Sequence, residues 1–351
     1  MPLSIGIVGL PNVGKSTLFN ALTNKQVEAS NYPFCTIEPN VGIVKVPDER
    51  LDKIAAISKP KKIVPTAIEF VDIAGLVKGA HKGEGLGNQF LSHIRECDAI
   101  CEVVRSFEDK NIVHVSGEIN PDEDKETINL ELIFADLESA GRQLEKLVKE
   151  VKSGDKEKIK RKQLLETIKE NLEKGTAVRD ISLSEDEKLQ LKGFSFLSAK
   201  PIIYVINGQD KEVAKNWGGE QVVLNIKIEE EISKLASEEQ AEFIQELGLN
   251  ESGLDKLIKS SYKLLGLVTF FTTGADETRA WTVKANSKAP QAAAVIHTDF
   301  EKGFVRAEVI GWEAFIKAEG EQKARESGLI RTEGRDYIIQ DGDICNFLIN
   351  K

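Results

Sequence analysis

Nine residues near the start of the chain decide its fold: Gly9-Leu10-Pro11-Asn12-Val13-Gly14-Lys15-Ser16-Thr17. An apolar run at residues 5–8 precedes them and a second at residues 18–22 follows, which predicts a strand, a glycine-bounded loop and a helix. Successive N–H groups in such a loop form a nest for phosphate oxygens, and the start of the helix adds its positive dipole end. This P-loop pattern predicts that the chain binds a nucleoside triphosphate.

The individual positions of the loop carry separate roles. Lys15 is expected to reach the β- and γ-phosphates and to support hydrolysis, and the Ser16 hydroxyl is expected to bind Mg²⁺. The nucleotide-contact residues predicted in this segment are Asn12, Val13, Gly14, Lys15, Ser16 and Thr17.

A second motif follows at the end of another apolar run, where Asp72-Ile73-Ala74-Gly75 reads D-x-x-G. We expect Asp72 to hold Mg²⁺ and the Gly75 N–H to contact the γ-phosphate, so that the next loop senses whether this phosphate is present. Thr36, in the loop between the two motifs, is the expected further Mg²⁺ ligand. Leu76 stands where Ras-like proteins carry the Gln that orients water, so another group must position the water or hydrolysis must be slow.

The base is expected to lie at Asn207-Gly208-Gln209-Asp210, which follows the apolar run 201–206. GTPases carry N-K-x-D at this point, and their Asp accepts two hydrogen bonds from guanine. Asn207 and Asp210 are present, but Gly208 replaces the lysine. The sequence therefore weakens guanine specificity without excluding it.

Bulk composition limits the remaining possibilities. A chain of 351 residues predicts two or three domains, and 41% hydrophobic with 30% charged residues suits a soluble protein. We see no signal peptide and no apolar run long enough for a membrane span, which predicts a cytoplasmic protein. The net charge of −10 means that any nucleic-acid contact needs a local basic patch.

These motifs resemble the YchF/Obg-like ATPase family, and the resemblance runs through the whole chain. It is carried by residues 9–17, by Asn31–Gly42, by Asp72–Ala80, by Gly83–Leu91 and by the region from Ala289 to Phe304. The family implies a switch that binds and hydrolyses ATP in preference to GTP and associates with the ribosome. Its N-x-x-E sequence, however, is N-x-x-D here, and Asp210 keeps guanine binding open.

The resemblance also implies a hydrolysis residue and a second cation. The family's proposed catalytic histidine matches His114, which would orient water in place of the absent Gln. Asn12 marks G domains that use K⁺ near the phosphates. We hypothesise the same use of K⁺ here, which stimulation by KCl but not by NaCl would support.

A long helical pattern begins after Pro121. Apolar residues at 133, 137, 140, 144, 147 and 151 alternate in steps of four and three, which predicts a coiled-coil seam. A break at 153–155 and a second helical stretch predict an antiparallel hairpin. Lysines and arginines from Lys146 to Lys162 make its tip region positive, so contact with RNA phosphates is possible, although interspersed glutamates also fit a solvated face.

From about Gly266 the periodicity shortens to that of strands. Strands are predicted at 268–273, 279–283, 305–310, 337–340 and 344–348, with one helix at 291–295. This part resembles a TGS domain, a small β-grasp module of RNA-linked proteins, in which Lys302 and Arg306 are candidate RNA contacts.

The predicted fold is therefore α/β: a doubly wound P-loop G domain, an inserted antiparallel helical hairpin and a C-terminal β-grasp domain. The expected boundaries are 1–122 with 196–265, then 123–195, then 266–351. The expected function is a slow ATPase switch that uses Mg²⁺ and binds the ribosome or ribosomal RNA. Two alternatives remain: a GTPase with relaxed base specificity, and a nucleotide-gated RNA-binding adaptor with negligible turnover.

Overall fold

The computed structural model describes residues 3–25, 40–73, 86–109, 111–114, 117–151, 155–209 and 217–350. The predicted positions Thr36, Gly75, Leu76 and Asp210 lie outside these ranges. The strands are β1 Ser4–Val8, β2 Val41–Lys45, β3 Lys62–Val64, β4 Ala67–Asp72, β5 Ala99–Arg105, β6 Ile202–Asn207, β7 Glu220–Leu224, β8 Leu267–Thr273, β9 Glu277–Lys284, β10 Phe304–Gly311, β11 Arg331–Glu333 and β12 Asp343–Ile349. The helices are α1 Lys15–Thr23, α2 Glu49–Ser58, α3 Leu86–Glu96, α4 Pro121–Glu150, α5 Lys156–Glu173, α6 Glu185–Leu191, α7 Ile226–Ser233, α8 Ser237–Glu246, α9 Gly253–Leu264, α10 Ala289–Ile296, α11 Thr298–Gly303, α12 Trp312–Lys317 and α13 Glu321–Glu326.

The first sheet has the strand order β2-β4-β1-β5-β6-β7 and is parallel except for β2, which runs antiparallel to β4. Every residue of β5 and β6 is buried, so both faces of the sheet are covered. After β1 the chain forms β2 and β4 on one side of it and then β5, β6 and β7 on the other. Such a reversal of strand order leaves a crevice at the carboxyl ends of the strands, where the P-loop follows β1.

Helices α4 and α5 form the predicted hairpin. The first half of α4 packs on the first sheet through Ile128, Leu132 and Ala135. The second half packs on α5, and the seam buries the residues Ile133, Ala140, Leu164, Leu165, Ile168 and Leu172, with Leu137, Leu144 and Leu147 packed against them. The apolar steps of three and four therefore predicted the pairing of these helices correctly.

The second sheet has the order β11-β10-β12-β8-β9-β3. Strands β8 and β9 form an antiparallel pair, β12 runs parallel to β8 and antiparallel to β10, and α10 packs on β9 and β10. This mixed sheet with a crossing helix confirms the β-grasp prediction. The segment predicted as a strand at 337–340 makes only a single bridge, from Ile338 to Lys288.

The two sheets share part of the chain. Strand β3 pairs in parallel with β9, and α2 packs on the second sheet through Leu51 and Ile54. Arg50 of α2 donates to Asp341 over 2.6 Å. Residues 49–64, which fall within the predicted 1–122 segment, therefore complete the C-terminal sheet.

The three cysteines in the described ranges, Cys97, Cys101 and Cys345, are buried free thiols. None of the helices in those ranges combines the length and the apolar character that crossing a bilayer requires.

Candidate nucleotide-binding and hydrolysis site

The P-loop adopts a backbone that only a few residue types tolerate. Gly9 and Gly14 have φ of 151° and 106°, and Asn12 has φ of 64°, a left-handed conformation that asparagine accepts better than most residues. A Cβ on Gly9 would lie 2.5 Å from the Val103 carbonyl oxygen, so glycine is required there by close packing against β5. The main chain of the loop can therefore wrap closely around phosphate oxygens at the start of α1.

Lys15 lies under this loop and is 8% exposed. Its Nζ donates to the carbonyl oxygen of Leu10 over 2.7 Å. Burial lowers the pKa of Lys15 to about 8, and the carboxylate of Asp72 opposes this shift. A bound triphosphate would bring negative charge to this buried ammonium and favour its protonated form.

Ser16 and Asp72 come together although they lie in different elements. Ser16 is in the first turn of α1 and Asp72 ends β4, and the Ser16 Oγ donates to Asp72 Oδ2 over 3.3 Å. A hydroxyl and a carboxylate oxygen are ligands that Mg²⁺ accepts alongside waters and phosphate oxygens. The two side chains fit this ion. No cluster of three or more His, Cys, Asp or Glu with metal-site geometry occurs among the described residues.

Asn207 ends β6 and connects the P-loop to the first residue of α7. Its Nδ2 donates to the Val13 carbonyl over 2.9 Å, and its Oδ1 accepts from the Ile226 N–H over 3.1 Å. A Cβ on Gly14 would lie 2.7 Å from the Asn207 Nδ2, which is a second reason for glycine at position 14. The amide nitrogen has another N–H, so the predicted contact with the base stays compatible with this role.

Gly208 occupies the position of the lysine in N-K-x-D. A Cβ there would lie 2.2 Å from the Ser106 Oγ and 3.2 Å from the Ser106 main chain. The Gly208 N–H also donates to the Leu224 carbonyl, and the Ser106 N–H donates to the Asn207 carbonyl. The local packing therefore leaves no room for a lysine side chain without moving residue 106.

Arg105 organises the loop that leads to His114. It ends β5, is 1% exposed, and donates to three main-chain carbonyls, those of Phe107, Asp109 and Ile112. Sequence reasoning missed this residue. A charged residue at the end of an otherwise nearly apolar strand was the available signal.

His114 is buried and faces α4. Its Nε2 donates to the Asp124 Oδ2 over 2.9 Å, and the two side chains are 4% and 5% exposed. Burial raises the pKa of Asp124 above its usual range, and the hydrogen bond from His114 opposes this shift. Asn12 of the P-loop donates to the carbonyl of the neighbouring Val113 over 3.2 Å. The loop that carries His114 therefore contacts the P-loop through its main chain, whereas α4 holds the His114 ring through Asp124.

The structure thus brings Lys15, Ser16, Asp72 and Asn207 to one edge of the first sheet and places His114 beside them in a separate buried contact. Ser16 and Asp72 converge as the motifs predicted.

Known proteins are similar to this chain over its full length. Relatives from Bacillus subtilis (51% identical) and Escherichia coli O157:H7 (52% identical) align over all of this chain and all of their own length. The chain belongs to the YchF family. Both relatives are named Ribosome-binding ATPase YchF.

Two family models and one solved structure match this YchF chain. A model described as a 50S ribosome-binding GTPase matches residues 4–136, and the model for the C-terminal region of YchF GTPases, described as a protein of unknown function (DUF933), matches residues 267–350. The structure of the Schizosaccharomyces pombe YchF GTPase superposes with a TM-score of 0.87 at 37% identity, covering 99% of this chain and 97% of that one. A P-loop GTPase fold with a YchF C-terminal domain is therefore shown.

Proposed function

We propose that this protein hydrolyses ATP and acts as a switch that associates with the ribosome. The observation that carries the proposal is the convergence of Lys15, Ser16 and Asp72 beneath a P-loop with phosphate-binding backbone. The name of the relatives supports both the ATPase activity and the partner.

The preference for ATP rests on Gly208. Without a lysine at this position the guanine-binding set is incomplete, and the contact of Gly208 with Ser106 opposes the addition of a side chain. Asn207 is positioned beside the P-loop and would meet the adenine edge, with Asp210 as the remaining base contact to be tested.

Hydrolysis by these residues is mainly electrostatic. Lys15 and the P-loop N–H groups stabilise the charge that develops on the phosphates. Ser16, Asp72 and Thr36 would hold Mg²⁺, which supplies further positive charge, and the Gly75 N–H would contact the γ-phosphate. His114 would orient the attacking water, because Leu76 cannot. Asn12 would add a K⁺ ligand.

The hairpin and the C-terminal domain would contact the ribosome. We propose that residues 123–195 and 266–351 serve this role, while 1–122 and 196–265 bind the nucleotide. Lys156 and Lys160 are exposed on α5, whereas Lys158 and Lys162 pair with Glu150 and Glu166. Exposed cations on a projecting helix suit contact with RNA phosphates.

The test combines affinity and turnover. We expect ATP to bind more tightly than GTP, ribosomes to stimulate hydrolysis, and H114A to reduce the stimulated rate by about 10²-fold or more, a typical loss for a general acid–base group. GTP binding tighter by at least about tenfold, which corresponds to about 1.4 kcal/mol, would instead favour the relaxed GTPase. Negligible turnover that neither ribosomes nor H114A change would favour the RNA-binding adaptor.

A further inference from the structure

His114 is not in a position to act on water in this conformation. Its ring is 4% exposed and its Nε2 is committed to Asp124. A group that orients the attacking water must reach the solvent next to the γ-phosphate. His114 must therefore leave Asp124 before it can fulfil its proposed role.

The residue that holds His114 belongs to the hairpin. Asp124 lies in the first turn of α4, whose N-cap is Asn120, and this helix continues without interruption for 30 residues to Glu150. At 1.5 Å per residue it spans about 45 Å, from the nucleotide domain to the tip of the hairpin. One continuous helix thus joins the tip of the hairpin to the turn that carries Asp124.

The same turn is also joined to the region that follows the proposed base-reading residue Asp210. Asp122 accepts a hydrogen bond from the Trp217 Nε1, and the Lys125 Nζ lies 5.6 Å from the centroid of the Trp217 ring. Three side chains of this one helical turn thus contact His114 and Trp217. A movement of this turn would therefore change the contacts of both residues.

We propose that Asp124 is a positioning residue that holds His114 away from the γ-phosphate, and that displacement of the first turn of α4 by a partner bound to the hairpin releases it. The inference rests on the proposed role of His114 in hydrolysis. It assigns the hairpin a second task besides binding, which is to control the catalytic histidine. Slow turnover of the isolated protein then follows from the Asp124 contact.

The decisive variant is D124N, which keeps the size of the side chain and removes its charge. We expect the kcat for ATP without ribosomes to rise about tenfold while KM stays unchanged, because a hydrogen bond to a charged acceptor is replaced by a weaker one. Ribosomes should stimulate D124N correspondingly less. The double variant H114A/D124N should show only the H114A rate. E123Q, which removes the neighbouring exposed carboxylate, is the matched control and should behave as wild type.

The chemical reactivity of the His114 ring reports its exposure directly, so this second test does not depend on hydrolysis. Diethyl pyrocarbonate modifies exposed histidines, and mass spectrometry resolves the four histidines of the chain by position. In the wild type we expect His114 to react far more slowly than His297, whose side chain is 59% exposed. In D124N, and in the wild type bound to ribosomes, His114 should become reactive.

The outcomes separate the two proposals. A D124N enzyme whose kcat is unchanged or falls to the H114A value would overturn the holding role of Asp124, as would rapid modification of His114 in the wild type alone. The wild-type modification experiment does not depend on the folding of any variant. If H114A keeps full stimulated turnover, the hydrolysis role of His114 fails, and the modification data still decide whether Asp124 sets the position of the ring.

Discussion

Asn12 in the P-loop donates its side-chain amide to the main-chain carbonyl of Val113 over 3.2 Å. The residue proposed to bind K⁺ is therefore in direct contact with the loop that carries the proposed catalytic histidine. Asn12 also holds a left-handed backbone, with φ of 64°. A cation bound at Asn12 would act both on the phosphates and on the position of the neighbouring loop.

Two substitutions distinguish the effect of the Asn12 side chain from the effect of its left-handed backbone. Both N12G and N12A remove the amide, so we expect both to lose any stimulation of hydrolysis by KCl over NaCl. Only N12A should lower the free energy of unfolding through backbone strain, by about 1–2 kcal/mol, since alanine is disfavoured in the left-handed region and glycine is not. Turnover in the two salts and thermal unfolding measure these effects. Full KCl stimulation in N12G would show that the side chain is not the ligand.

The lowered pKa of Lys15 predicts how nucleotide affinity depends on pH. The nucleotide-free protein releases the Lys15 proton above about pH 8, whereas the bound triphosphate needs the ammonium. We therefore expect ATP affinity to be flat below this pH and to fall about tenfold per pH unit above it, with one proton taken up on binding. Calorimetry in buffers of different ionisation enthalpy measures both quantities.

The same shift has a consequence for stability without nucleotide. The unfolded chain keeps the Lys15 proton up to its ordinary pKa of 10.5, so between about pH 8 and that value it binds more protons than the folded protein. The contribution of this group to the free energy of unfolding therefore rises with pH in that window.

The control for the affinity prediction is K15M. It lacks the titrating group, and its weak residual ATP binding should not change over this range. If the affinity of the wild type for ATP stays constant from about pH 7 to pH 9.5, the predicted role of the Lys15 proton in ATP binding is wrong.

The parts of this protein that sequence predicted well are those with a local signal. The P-loop is a contiguous motif, and the pairing of α4 with α5 follows from apolar residues such as Ile133 and Ala140 at helical spacing. Convergence of Ser16 with Asp72 also followed, because β1 and β4 are neighbouring parallel strands: the P-loop that leads to Ser16 follows the carboxyl end of β1, and Asp72 ends β4.

Other features depend on distant contacts that no local pattern encodes. Strand β3 has only three residues and pairs with β9, more than 200 positions away. The segment 337–340 has the residue types of a strand, but Asp343 accepts from the Tyr337 hydroxyl and the Gln340 N–H and so closes a turn instead. Asp124 belongs to no motif, and only the fold shows that His114 is its partner.

Arg105 is expected to be essential for the shape of the His114 loop. R105K retains the charge but cannot present the planar set of donors that serves three carbonyls, so at least one of these carbonyls loses its buried donor. We expect R105K to lower the free energy of unfolding by about 1–3 kcal/mol and to reduce ribosome-stimulated turnover. Denaturant unfolding and turnover assays measure the two effects.

R142K, at an exposed ion pair on α4, is the matched control for R105K and should change stability by less than about 0.5 kcal/mol. Equal stability of R105K and R142K would show that the loop does not depend on the guanidinium.

The exposed lysines of α5 provide a test of the hairpin as a ribosome contact. Lys156 and Lys160 point to solvent near the break between the hairpin helices, in a protein whose net charge is −10. Reversal of both charges in K156E/K160E should weaken ribosome binding and reduce the slope of log affinity against log salt by about 2, because each phosphate contact contributes about 1 to this slope. ATP affinity without ribosomes should not change, since α5 lies away from the P-loop. The matched control is K227E/K256E, which makes the same charge change at exposed lysines of α7 and α9 in the nucleotide domain. An equal loss of ribosome binding in both double variants would indicate a general charge effect and would remove the hairpin from the proposed interface.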